Sequence, residues 1–161
     1  MNDRNNNQHR EDTEMKKLLA TAAIATLVLT GAAWAGDTPS PEGASVYFVN
    51  LEDGATVKSP VKVVFGLSGM GVAPAGTEKA KTGHHHILID RPPLGKGPDG
   101  ADELDANLPA DDNHKHFGGG QTEMMLVLPA GKHTLQLVLG DKDHIPHNPP
   151  VTSPVITITV E

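Results

Sequence analysis

The sequence predicts an all-β domain: an immunoglobulin- or fibronectin-III-like two-sheet sandwich of about seven strands, with two long loops. Three observations predict it. Apolar and polar residues alternate with a period of two in several short runs, turn residues fall between those runs, and no stretch after residue 36 has a helical period.

The elements follow in order. Residues 1–14 are polar and carry Asp3, Glu11, Asp12 and Glu14. They read as a misassigned upstream extension, with Met15 as the true start. In residues 15–35, Lys16 and Lys17 precede an apolar run from Leu18 to Leu29, and Ala33-Trp34-Ala35 gives a small-x-small cleavage site. That is a secretory signal peptide, and its apolar run is shorter than the roughly 20 residues of a membrane span. Residues 36–161 are then a single β-sandwich domain, expected in the periplasm or secreted, with no membrane span once the signal is cleaved.

Within that domain, residues 45–50 form the first expected strand. Glu52-Asp53-Gly54 and Ser59-Pro60 supply turns. The run from Asp53 to Val61 resembles the first turn of many bacterial domains of this style. Val61, Val63, Phe65 and Leu67 alternate with Lys62, Val64 and Gly66, which marks a strand with one buried face. Residues 68–83 are a Gly/Ala-rich loop and 84–90 a strand. Residues 91–113 are a second long loop rich in Pro, Gly and acidic side chains, whose acidic part, 99–112, reads mainly as solvated. Strands are expected again at 121–128, at His133 to Leu139 after Pro129-Ala130-Gly131, and at 156–160 after Asn148-Pro149-Pro150.

Composition narrows the function. The chain has 161 residues, 13 basic and 20 acidic side chains, a net charge of −7 and no cysteine. The acidity argues against a nucleic-acid partner, which needs Lys and Arg to neutralise phosphates. The missing cysteines exclude disulfides, thiolate metal sites and a cysteine nucleophile. No Gly-x-Ser-x-Gly elbow and no phosphate-binding glycine motif occurs; Gly118-Gly119-Gly120 instead lets the backbone turn or approach another segment.

Histidine is the conspicuous residue. There are nine, and eight lie between residues 84 and 147. On a strand, His84 and His86 share one face and His85 takes the other; His114 and His116 share a face if their segment is extended. Two His-x-His pairs on neighbouring segments can surround one ion with imidazoles. The metal reading therefore takes His84, His86, His114 and His116 as ligands and His133 as a supporting residue, with Asp112 and Glu123 as acceptors that fix an imidazole tautomer. Copper comes first and zinc second. A tetragonal all-nitrogen set favours Cu(II) and a tetrahedral one zinc, while a thioether from Met70, Met124 or Met125 would favour Cu(I). A structural role competes for some of these residues. His133 keeps register with Leu135, Leu137 and Leu139 and points into the core. His85 does so with Ile87 and Ile89, and His144 and His147 can brace their own loop.

Three stretches carry a family resemblance: Gly83 to Asp90, Leu108 to Glu123, and Leu128 to His147. Together they resemble an uncharacterised bacterial domain-of-unknown-function family of small exported His-rich proteins, over roughly residues 46–160. Some members carry the label rod shape-determining protein, without support. The resemblance implies export and one β domain, and brings no activity, cofactor or catalytic residue.

The reading is thus an exported, periplasmic protein that binds a transition metal for sequestration or delivery. One alternative is a cell-envelope module that recognises a protein or glycan partner, with structural histidines. Another is a cupin-like metalloenzyme using His114, His116, Glu123 and His133.

Overall fold

A computed structural model describes residues 36–161. The extension and signal peptide expected in residues 1–35 lie outside the described residues. Among those described, the chain forms nine strands: β1 (Ser45–Phe48), β2 (Thr56–Val57), β3 (Val61–Ser68), β4 (Gly71–Val72), β5 (Thr82–Ile89), β6 (His114–His116), β7 (Glu123–Leu126), β8 (Gly131–Gly140) and β9 (Ile156–Val160). The only helical element among the described residues is a short 3-10 turn, Gly100–Leu104. No helix among the described residues is long and apolar enough to cross a membrane.

The strands make two sheets packed as a sandwich, as the alternation predicts. The smaller has the order β1-β3-β7; the larger runs β2-β9-β8-β5-β4, with β6 also paired to β5. Along one edge of β5, β4 pairs with its beginning and β6 with its end, while β8 runs antiparallel along the other edge. β5 is therefore an interior strand, which explains why seven of its eight residues are buried.

Alternation then sorts its side chains. Ile87 and Ile89 enter the main core between the sheets, with Leu135, Leu137 and Leu139 of β8 and Val61, Val63 and Phe65 of β3. Each such buried aliphatic side chain contributes about 1.5–3 kcal/mol. Leu88 faces outward, yet is also buried. It joins Leu94, Leu108 and Val138 in a second, smaller apolar cluster, with Leu104 packed against it.

The acidic stretch 99–112 is largely exposed, as expected, with Leu108 its one buried residue; the cluster adds an apolar anchor beneath it. Leu94 and Leu108 fold the segment down over the outer face of the larger sheet. The Leu94 N–H donates to Gln136 Oε1 at 2.9 Å, and Gln136 Nε2 donates to the Ser153 carbonyl at 3.2 Å. The first long loop also contains structure, since β4 lies within it. Short pairings of this kind lack the run length that makes alternation legible.

Candidate histidine site

The site lies on the outer face of the larger sheet. His84 and His86 project there from β5, the face opposite the main core. β6 pairs with β5 so that His116 stands across from His86. Cross-strand partners in register share a face, so three imidazoles gather over two strands. The fourth comes from beyond β8. After Gly140 the chain turns at Asp141 and returns through a bridge between Gly140 and Pro146, which places His144 over the others.

One ring nitrogen from each of His84, His86, His116 and His144 lies within 4.8 Å of the other three. His84 Nε2 is 3.0 Å from His86 Nε2 and 3.0 Å from His144 Nδ1. The ring centroids of His116 and His144 are 4.4 Å apart. Metal–nitrogen bonds of about 2.0–2.1 Å place tetrahedral neighbours about 3.3 Å apart, so the two 3.0 Å separations suit nitrogens sharing one ion, and the widest pair, at up to 4.8 Å, has to draw in to reach it. His84 and His86 are fully buried, His144 is half-buried and His116 is exposed.

Glycines make the room. A Cβ on Gly140 would lie 2.8 Å from His86 Nε2, and one on Gly118 would collide with the His116 ring. The glycine run thus brings backbone close to another group, as its composition suggests, and the group is an imidazole.

The Asp141 carboxylate organises the turn. Its Oδ1 accepts the N–H groups of Asp143 at 2.9 Å and Ile145 at 3.0 Å, and its Oδ2 accepts the Thr38 hydroxyl at 2.6 Å. Burial works against its charge, yet these hydrogen bonds together hold its carboxyl below the usual range. His144 itself has φ of +67°, a left-handed conformation that a non-glycine residue adopts only where its surroundings impose it.

The electrostatics keep the buried imidazoles neutral. Burial, then the neighbouring His144 and His116, push His84 down to about 4. Burial again leads for His86, followed by His84, His116 and His144, and pushes it down to about 2. His116 is lowered by burial and by His144. Neutral imidazole is the form that binds a metal. Neither His84 Nδ1 nor His86 Nδ1 has a hydrogen-bond partner. The reading in which protein groups pair every imidazole therefore lacks its supporting observation.

His114 is not brought into the cluster. It lies on the same face, but its register partner is Leu88, one pair further along β5. There its Nδ1 donates to Asp111 Oδ1 at 2.7 Å and its Nε2 meets the Arg91 guanidinium, which also pairs with Glu103. The His114 hydrogen bond in turn holds the Asp111 carboxyl low.

His133 lies on the opposite face, bonded to Asp90 Oδ2 at 2.7 Å and facing the Pro129 carbonyl at 3.0 Å. Asp112 is exposed beside Lys115. Glu123 forms an exposed ion pair with Lys62 at 3.0 Å on the smaller sheet. The cupin-like set of His114, His116, Glu123 and His133 is thus dispersed over a sandwich and surrounds no common point.

Two further histidines are structural. His85 packs on Phe65, with ring centroids 5.1 Å apart, and neither of its ring nitrogens has a partner. His147 is buried with Nδ1 3.3 Å from the Leu139 carbonyl and Nε2 3.2 Å from that of Thr82. His144 is the member that sequence reasoning assigned only to its loop.

Fold and site together define a β-sandwich protein with a four-histidine cluster on one sheet face. The chain belongs to the family described as Domain of unknown function (DUF4399), which matches residues 63–161 and so spans all four histidines. Comparison with curated proteins and with solved structures gives no match.

Proposed function

We propose that this protein binds one transition-metal ion through His84, His86, His116 and His144, as an exported, non-enzymatic carrier or store, with copper the first candidate and zinc the second. The convergence of four imidazoles, two of them buried and held neutral, carries the reading. Burying several polar rings against one another costs free energy unless a partner satisfies them, and a metal ion satisfies all four lone pairs at once. The ligand set contains no sulfur and no carboxylate. Borderline ions such as Cu(II) and Zn(II) fit it; calcium and magnesium, which take oxygen donors, do not. Export rests on the signal-like segment at 15–35.

Calorimetric titration of metal-stripped protein with Cu(II) and Zn(II) tests the proposal. One ion per chain is expected, bound more tightly than about 10 μM, or roughly 7 kcal/mol. Weaker binding, or equal binding by a variant with all four histidines changed to alanine, defeats it.

A further inference from the structure

The four ligands divide into two unlike pairs. His84 and His86 are fully buried on β5, a strand paired along both edges. His116 is exposed on the three-residue β6, and the half-buried His144 rides on the turn after β8. Backbone closes the site on the β8 side, where only the absence of a side chain on Gly140 leaves space for His86. The site is therefore closed below and open on the side of His116 and His144.

We propose that an ion held here leaves and enters through that open side by associative ligand exchange, which makes the protein a donor to other ligands rather than a permanent sink. The inference rests on the metal-binding reading above. In the exchange, an incoming donor atom shares its lone pair with the ion and a new metal–donor bond forms. The bond to His116 then breaks, followed by that to His144, and each imidazole keeps its own lone pair. No electron changes hands and no proton is required, because neutral imidazoles are displaced. His84 and His86 hold the ion until last. The incoming donor is a small chelate or a partner protein's exposed imidazole or thioether. The Asp141 carboxylate, close enough to act on His84, has its oxygens engaged by the Thr38 hydroxyl and by backbone N–H groups, so it is a poor competing anchor for the departing ion.

The test is stopped-flow release of Zn(II) from the loaded protein into EDTA, varied over a hundredfold excess range. The expected release rate rises in proportion to EDTA concentration. His116→Ala is expected to speed release at least tenfold, and His114→Ala, on the same strand but outside the cluster, to leave it unchanged. A rate independent of EDTA concentration overturns the proposal, since release would then wait on opening of the fold. Equal effects of the two substitutions overturn it as well. Failure of the protein to load with Zn(II) or Cu(II) at all removes the metal-binding reading itself, a result separate from either kinetic one.

Discussion

His84 Nε2 stands 3.0 Å from His86 Nε2, although the two residues sit on one strand with a single residue between them. Side chains at i and i+2 on a strand share a face, and here their rings tilt toward each other instead of lying parallel, with an interplanar angle of 41°. Two bare nitrogens at that distance repel, so one must carry a proton or both must share a cation. Everything else at the site is arranged around this pair.

His144 and His114 separate the geometry from the spacing pattern. His144→Ala is expected to weaken Cu(II) or Zn(II) binding at least about tenfold, since loss even of a supporting residue costs 10–100-fold at metal sites. His114→Ala is expected to change affinity less than about twofold, because Asp111 and Arg91 already engage both its nitrogens. Calorimetry on both variants reads the ranking directly, and the reverse order would return His114 to the ligand set.

Gly140→Ala tests the close fit without touching a ligand. The added methyl would sit 2.8 Å from His86 Nε2 and 3.1 Å from its Cδ2. Overpacking of this kind costs about 1–3 kcal/mol, which predicts a loss in metal affinity of about 5- to 150-fold. Circular dichroism should show an intact β fold, since β8 pairs through backbone groups that alanine retains. Unchanged affinity would mean that the His86 ring is free to move away.

The legible and illegible parts of this protein differ for a physical reason. Strands with one buried face announced themselves, because that burial imposes a period of two on residues such as Val61, Val63 and Phe65. β2 and β4, two residues each, are too short for any period. The faces of His84, His86 and His116 also followed from parity. The choice between His114 and His116 did not, because both share a face and only the register of β6 against β5 decides which stands beside His86. His144 was less accessible still. It lies four residues beyond the end of β8, and its position depends on the Asp141 turn, which is held by contacts remote in sequence, among them the Thr38 hydroxyl more than 100 positions away and the Leu108 N–H on the His144 carbonyl. The Asp141-Lys142-Asp143-His144 run hints at a side-chain-stabilised turn, but not at where that turn points.

Acid should unfold the metal-free protein. His84 and His85 are depressed to about 4 and His86 to about 2, in each case with burial as the leading cause. In the unfolded chain these rings bind protons below about pH 6.5, and the folded state does not. The unfolded state therefore takes up more protons, so stability falls as pH drops from about 6.5 toward 4. Each ring costs about 1 kcal/mol per pH unit in that window, or about 6 kcal/mol for three rings over two units, against a total of about 5–15 kcal/mol for a typical domain. A midpoint between about pH 4 and 6 is expected by far-UV circular dichroism. Saturating Zn(II) should move it downward, since a ligand at 100 times its Kd adds about 2.7 kcal/mol to the folded state. Unaltered stability down to pH 4 would show that these imidazoles titrate normally.

His133 should respond to pH in the opposite sense. The hydrogen bond to Asp90 leads in raising its pKa above the ordinary value, and the Pro129 carbonyl adds to the effect. Both ring nitrogens face acceptors, an arrangement that only the protonated imidazole satisfies in full. A raised folded-state pKa contributes stability that is complete below about pH 6.5 and is lost as pH rises through the folded value. Asp90→Asn removes the carboxylate and should abolish that component, so the gap in thermal midpoint between wild type and variant is expected to be widest near pH 6 and to narrow by pH 8. Asp90 Oδ1 also accepts the Thr134 N–H at 2.9 Å, and the asparagine carbonyl can keep that bond, which confines the change to the His133 contact. Metal affinity should not move, because His133 faces away from the four-histidine cluster. A gap that stays constant with pH would show that His133 is neutral in the folded protein and bonded only as an ordinary buried imidazole.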